Sequence, residues 1–186
     1  MTLTYRERGE RKLKRLVKKA QRGDKDALMQ LVMEAKEEYY RLAFTYMENE
    51  HDAMDALENM IVILYEKIEQ LQKPESFYSW SKMILVNECR ALLRKRSKII
   101  FLDEEQAATI VDERATDVSA ELSFQALLTS LSPVQKEAVQ MKYYLDYDYE
   151  TIAELTNVPV STAKSRVFHA LKILRKTLGG EMDERI

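Results

Sequence analysis

The apolar residues of this chain recur at the three- and four-residue intervals of helices rather than at the two-residue alternation of strands. Lys12–Gln21, KLKRLVKKAQ, sets Leu13, Leu16, Val17 and Ala20 on one side and stops at Arg22-Gly23-Asp24, a glycine stop with a fresh aspartate cap behind it. The next stripe, Ala27, Leu28, Leu31, Val32, Ala35, Tyr39, Leu42, Ala43 and Tyr46, predicts one long amphipathic helix to about Met47, with Asn49–Asp52 as the turn after it. From Asp52 the run DAMDALENMIVILYEKIEQL repeats the pattern until Lys73-Pro74-Glu75 breaks it. Ser76 then reads as the cap of a fourth helix, with Phe77, Trp80, Ile84, Asn87 and Ala91 on one face and the basic cluster Arg94, Lys95, Arg96, Lys98 at its end. Four helices with short connections predict a compact domain over residues 1–98.

Residues 99–121 are acidic and weakly periodic and read as a linker. Helices resume at Leu122 and define a second domain over 122–186. Within it, Ser132-Pro133-Val134-Gln135 is a strong helix start: a serine cap, proline at the first helical position and glutamine three residues after the cap. Asp148 caps Tyr149–Thr156, Asn157 takes the left-handed stop position, and a last helix runs from after Pro159 to about Leu178. The expected fold is therefore all-α, two small helical domains joined by an acidic linker.

Composition narrows the chemistry. With 4 Gly and 3 Pro among 186 residues, helix breakers are scarce. No stretch reaches the roughly 18 apolar residues of a membrane span, and the basic N-terminus leads into no apolar core of the kind a signal peptide carries, which implies a cytoplasmic protein. One cysteine, Cys89, excludes an internal disulfide, and with only His51 and His169 besides, no metal site or other cofactor is expected. The net charge of -2 hides segregation: residues 1–100 carry 20 basic against 16 acidic side chains, 101–123 carry 1 against 7, and 124–186 carry 8 against 8. Basic blocks beside one acidic block suit an anionic partner, although solvated helix faces would look the same.

The chemistry-bearing segment is Tyr149–Lys176, YETIAELTNVPVSTAKSRVFHALKILRK. A short helix, a tight turn and a second helix with Ala163, Val167, Ala170, Leu171 and Leu174 inward form a helix-turn-helix layout, in which small Ala153 and Ala163 let the helices cross closely. Outward from the second helix stand Ser161, Thr162, Lys164, Ser165, Arg166, His169 and Lys172, donors suited to phosphates and base edges in a major groove. A helical hairpin with a solvated polar face is the plainer reading of the same pattern. No glycine-rich phosphate loop, catalytic triad or metal-ligand spacing appears, so no enzyme is expected.

The run Val158-Pro159-Val160-Ser161-Thr162-Ala163-Lys164-Ser165-Arg166 resembles the recognition-helix signature of region 4 in RNA polymerase sigma factors of the extracytoplasmic-function group. Arg22-Gly23-Asp24, then Asp52-Ala53-Met54-Asp55-Ala56, resemble their regions 1.2 to 2.2, and Phe77-Tyr78-Ser79-Trp80 with Ile84, Val86 and Asn87 resembles regions 2.3 to 2.4, in the same order. The resemblance implies a transcription initiation factor without catalytic activity, whose partners are the polymerase core at its beta-prime clamp, promoter DNA and an anti-sigma factor. It implies core contacts by Asp52, Asp55 and Glu58, and minus-ten contacts by Lys73, Ser76, Phe77, Ser79, Asn87, Arg94 and Arg96. It also implies minus-thirty-five contacts by the outward row of the last helix. Where many members carry arginine, this chain has His169, whose imidazole cannot make arginine's bidentate guanine contact.

Other positions read more plainly. Trp80 is expected to anchor the core, Phe77 fits either core or base-stacking platform, and Asn87 either a structural hydrogen bond or a base contact. Met29, Met33, Met54, Met60, Met83 and Met141 read as core filler, and Cys89 as buried and inert. Two other functions remain open on sequence: an autonomous helix-turn-helix regulator that dimerises through the first domain, and a helical adaptor that binds protein only.

Overall fold

The computed structural model describes residues 5–103 and 127–178. The described residues are helical with no strand, and the chain divides into two compact units, Met1–Ile100 and Phe101–Ile186.

In the first unit α1 (Tyr5–Ala20) ends as expected: Gly23 takes φ 90°, and Asp24 accepts the Ala27 N–H at 2.9 Å to start α2 (Lys25–Glu34). The Gln21 amide donates to the carbonyls of Ile68 and Leu71 at 3.2 and 2.8 Å, tying this corner to the 3-10 turn Ile68–Gln70 and the residue after it. The single long helix predicted to Met47 is two helices. The backbone leaves helical geometry at Ala35 (φ -114°, ψ 13°) before α3 (Lys36–Met47) begins. Asn49 caps α4 (Glu50–Lys67) by accepting the Asp52 N–H at 2.8 Å, so the helix starts two residues earlier than the periodicity placed it.

Ser76 does not cap through its side chain; it closes a short 3-10 turn, Pro74–Ser76, that leads directly into α5 (Phe77–Asp103). No glycine or proline interrupts Phe77–Asp103, so α5 continues through residues 99–103, which were expected to be linker. Residues 104–121 of that linker, and the helix restart expected at Leu122, lie outside the described residues. The core gathers Leu16 and Val17 of α1, Leu28 and Leu31 of α2, Tyr39 and Leu42 of α3, Met60 and Leu64 of α4 and Phe77, Leu85 and Cys89 of α5.

In the second unit the Ser132 N–H donates to the Gln135 side-chain carbonyl at 3.0 Å, and α6 (Pro133–Val139) starts where its capping signal stands. Its continuation, Gln140–Tyr144, widens into a π-helical turn. Asp148 accepts the Thr151 N–H at 2.7 Å to open α7 (Tyr149–Thr156), Asn157 sits in the left-handed region at φ 54°, and α8 (Val160–Thr177) follows. Both α6 and α7 pack on α8, around Leu128, Leu131, Val139, Ile152, Val167 and Ala170. Ala153 and Ala163 are buried, as the close crossing of α7 and α8 requires.

Candidate nucleic-acid interface

Three surfaces carry the candidate residues. On α8 the buried line is Ala163, Val167 and Ala170. At about 100° per residue the opposite side presents Ser161, Ser165, Phe168, His169 and Lys172, all exposed. Arg166 and Thr162, half-buried, turn to one flank, where with Ser165 and His169 they line a polar cleft of about 300 Å³ closed on the other side by Ser132, Val134 and Gln135. No ion pair engages Arg166 among the described residues. Lys164 lies on the other flank, its ammonium 5.6 Å from the centre of the Tyr149 ring.

Phe168 was not picked out by the sequence, yet it is 58% exposed and meets the His169 ring edge to face at 5.5 Å. Its place beside the polar row was available in the helical period. The Asp148 carboxyl at the head of α7 is held below its usual range by hydrogen bonds from Thr151, with the Lys142 charge adding to the effect.

On α5 the buried residues are Phe77, Ser81, Leu85, Val86 and Cys89. This corrects the expected face: Phe77 is fully buried, its ring against Tyr78 at 5.4 Å and Trp80 at 6.5 Å, and cannot serve as a surface platform. Asn87 is exposed rather than on the apolar side. The cause is Ser81, a polar residue hidden in the core because its hydroxyl meets the Tyr39 hydroxyl at 2.6 Å; its polarity masked the inward line. Trp80, Asn87 and Arg94, seven residues apart, therefore line up on the outer side of α5, with Trp80 half-buried and the other two exposed. Lys73 is exposed, Ser76 half-buried, and Ser79 half-buried with its hydroxyl donating to the Ser76 carbonyl at 3.2 Å.

On α4, Asp55 and Glu58 are exposed, whereas the Asp52 carboxylate is already engaged by Asn49 and by Arg96 of α5, each at 2.8 Å. The Arg96 guanidinium is thus paired rather than free for phosphate. The methionines divide: Met60 and Met141 are buried, but Met29, Met33 and Met54 are not the core filler expected, being 40 to 54% exposed. Met54, Val62 and Tyr65 share the side of α4 that carries Asp55 and Glu58. An exposed apolar strip with carboxylates beside it suits a protein partner more than DNA. His51 reaches Asp55 at 3.5 Å on the same helix end, fully in solvent.

A helix-turn-helix with an unpaired polar outer row, and a separate helical unit bearing an aromatic, amide and guanidinium line, define a class of helical proteins that read DNA with two modules. The chain matches sigma-70 region 2 over residues 31–99 and sigma-70 region 4 over residues 121–174. It is 31% identical over 157 residues to the RNA polymerase sigma factor SigV of Bacillus subtilis, covering 84% of this chain and 94% of that protein. It is 28% identical over 181 residues to the ECF RNA polymerase sigma factor SigW of the same organism, covering 89% and 96%. Among solved structures it is similar to CnrH in complex with the cytosolic domain of CnrY (TM-score 0.65, 19% identity, 90% of this chain and 97% of that one). It is also similar to the sigma factor RpoE in complex with the anti-sigma factor NepR from Bartonella quintana (TM-score 0.64, 21% identity, 84% and 98%).

The chain belongs to the extracytoplasmic-function sigma factors of the sigma-70 family. It is a transcription initiation factor that binds RNA polymerase and promoter DNA. No helix of the described residues is long and apolar enough to cross a membrane.

Proposed function

We propose that this sigma factor docks on the beta-prime clamp through the α4 strip of Met54, Asp55, Glu58, Val62 and Tyr65, with Asp52 braced behind it by Arg96. Minus-ten recognition falls to the outer side of α5, where Asn87 and Arg94 stand in line with Trp80 and are joined by Lys73, Ser76 and Ser79. An unstacked base strand needs an aromatic surface, a hydrogen-bonding edge and a cation for its backbone, and this line supplies all three. Minus-thirty-five recognition falls to α8: Ser161, Ser165, His169 and Lys172 face the groove floor, and Thr162 and Arg166 face a backbone. The observation that carries this reading is the exposed, unpaired polar row of α8 opposite its buried Ala163, Val167 and Ala170 line.

Such a factor is not an enzyme and acts in the cytoplasm, where the polymerase works. Two of the similar structures are complexes with an anti-sigma factor or a cytosolic partner domain, which supports control of this chain by an anti-sigma factor. The test is copurification with core polymerase followed by run-off transcription from genomic fragments. Discrete starts that depend on the chain are expected. Tight binding of a duplex site by the free chain, with no polymerase dependence, would instead make it an autonomous regulator.

A further inference from the structure

We infer that α1 is a further DNA-contacting element, in which Arg11, Arg15, Lys18 and Arg22 form a sequence-blind track for the sugar–phosphate backbone of the promoter strand beside the minus-ten element. The inference deepens the reading of the first unit as the minus-ten reader and rests on it. Arg11, Arg15 and Lys18 follow one another at four- and three-residue steps, and Arg22 continues the row in the turn that closes the helix. All four are exposed, on the side of α1 opposite its buried Leu16, Val17 and Ala20. At 1.5 Å per residue the row is about 16 Å long, enough to face about four or five phosphates of one strand.

Three other cations of α1 are already engaged: Lys12, Lys14 and Lys19 pair with Glu34, Glu75 and Asp24, whereas no ion pair takes up the four of the row among the described residues. Like charges one turn apart disfavour a helix, and an anion laid along them removes that cost. The kind of anion follows from what the row lacks. The apolar side of α1 is buried in the core, so none is left to sink into a bilayer as a surface-bound helix does. No large apolar side chain between Glu7 and Ala20 is exposed, so the row also lacks the anchor that a protein partner takes, in contrast to the α4 strip. A row of bare cations is the footprint of a nucleic-acid backbone. Its place is set by two ties: the Lys14 ammonium lies 4.0 Å from Glu75, and the Gln21 amide donates to the Ile68 and Leu71 carbonyls. These fasten α1 along the connection that carries Lys73 and Ser76. Around the helix axis the row stands within about 100° of Lys14, so it opens beside that connection. A strand whose bases are held there runs its backbone on over α1.

The test has two arms. In the first, the full chain alone is titrated against a single-stranded oligonucleotide of mixed sequence by fluorescence anisotropy between about 50 and 200 mM salt. Arg11→Gln, Arg15→Gln and Lys18→Gln each lower the salt slope by about 0.7 unit and weaken binding about fivefold at 0.1 M salt. Arg15→Lys, which keeps the charge, stays within about twofold of the parent, as does Lys36→Gln, which removes the same charge from α3. In the second arm, holoenzyme carrying Arg15→Gln with Lys18→Gln forms open complexes on promoters of differing minus-ten sequence. Their lifetimes under salt challenge shorten by a similar factor, roughly tenfold or more, on every promoter. Unchanged slopes for the three row variants would mean that the row is only solvated, and a loss in Lys36→Gln as large as in Lys18→Gln would reduce it to net charge; either overturns the track. So does reordered minus-ten preference in the double variant, or binding to phosphatidylglycerol vesicles that falls with the row while the oligonucleotide slope stays. If the parent holoenzyme gives no discrete starts, the promoter reading itself fails, and the slopes of the first arm still decide whether the row holds a backbone.

Discussion

Tyr39 and Ser81 bring their hydroxyls to 2.6 Å in the core of the first unit, so that α3 meets α5 by polarity as well as by shape, and Lys82 of α5 adds a second polar tie by pairing with Glu38 of α3. The Ser81 hydroxyl also approaches the Tyr78 carbonyl at 3.1 Å, so Tyr39→Phe leaves it a partner and should cost only about 1 kcal/mol at neutral pH. Burial pushes the Tyr39 phenol up to about 12, with Glu38 adding to the rise and the Ser81 bond opposing it. Because the folded phenol holds its proton more tightly than the unfolded one, its contribution is complete below about pH 10 and is lost as pH climbs toward 12. The parent should therefore lose on the order of 2 kcal/mol more than Tyr39→Phe across that window, read from urea unfolding of both proteins at matched pH. Equal losses would mean the phenol is solvated.

The same scale governs promoter choice. Arg166→Ala, which removes a flank cation, should weaken all promoters about equally, while His169→Arg should change the preferred base at one or two positions of the minus-thirty-five element. Transcription across a variant library separates the two, and reordered preferences for Arg166→Ala with none for His169→Arg would mean that α8 is seated on a different face.

At the scale of elements, the starts and stops with a local chemical signature were legible in the sequence: Gly23-Asp24, Ser132-Pro133 with Gln135, Asp148 and Asn157 all sit where their side chains require. The break at Ala35 was not, because the apolar stripe runs unchanged through both halves and no glycine or proline marks the corner. The only sign is acidic Glu37 and Glu38, which favour a new helix N-terminus. The face of α5 was misread for a related reason: hydrophobic periodicity cannot register a buried serine. The π-helical turn at Gln140–Tyr144 has no recognisable signature at all. Asn157 gives this scale its prediction. At φ 54° and ψ 51° it closes α7 with its N–H directed to Ala153 and Glu154, and it aims the chain into α8. Asn157→Gly should hold stability level, and Asn157→Val should cost about 1–2 kcal/mol, since a branched side chain is strained in the left-handed region. Thermal unfolding of the two variants compares them directly; a Val variant as stable as the Gly one would mean that the turn relaxes.

Over the whole molecule, the proposed DNA contacts divide between two units of different chemistry, and on that reading neither holds a duplex by itself. The second unit offers one recognition helix, a surface at the small end of what single DNA-reading modules bury. The first unit offers Trp80, Asn87 and Arg94, a line suited to bases that a closed duplex keeps stacked. The strip on α4 proposed for docking, with Met54, Val62 and Tyr65 exposed, is apolar enough to want a protein partner before any DNA is met. Free chain should therefore bind a promoter duplex weakly and with little preference over mixed sequence at physiological salt. Adding core polymerase should raise both affinity and discrimination by orders of magnitude, because on the proposed reading the polymerase holds both units to one DNA and opens the strand that the first unit is proposed to read. Titration of a labelled promoter fragment with chain alone and with reconstituted holoenzyme makes the comparison. Replacing Val62 and Tyr65 together by serine should remove the gain from the polymerase and leave the weak binding of the free chain unchanged. A variant that keeps full polymerase dependence would place the docking surface elsewhere than on α4.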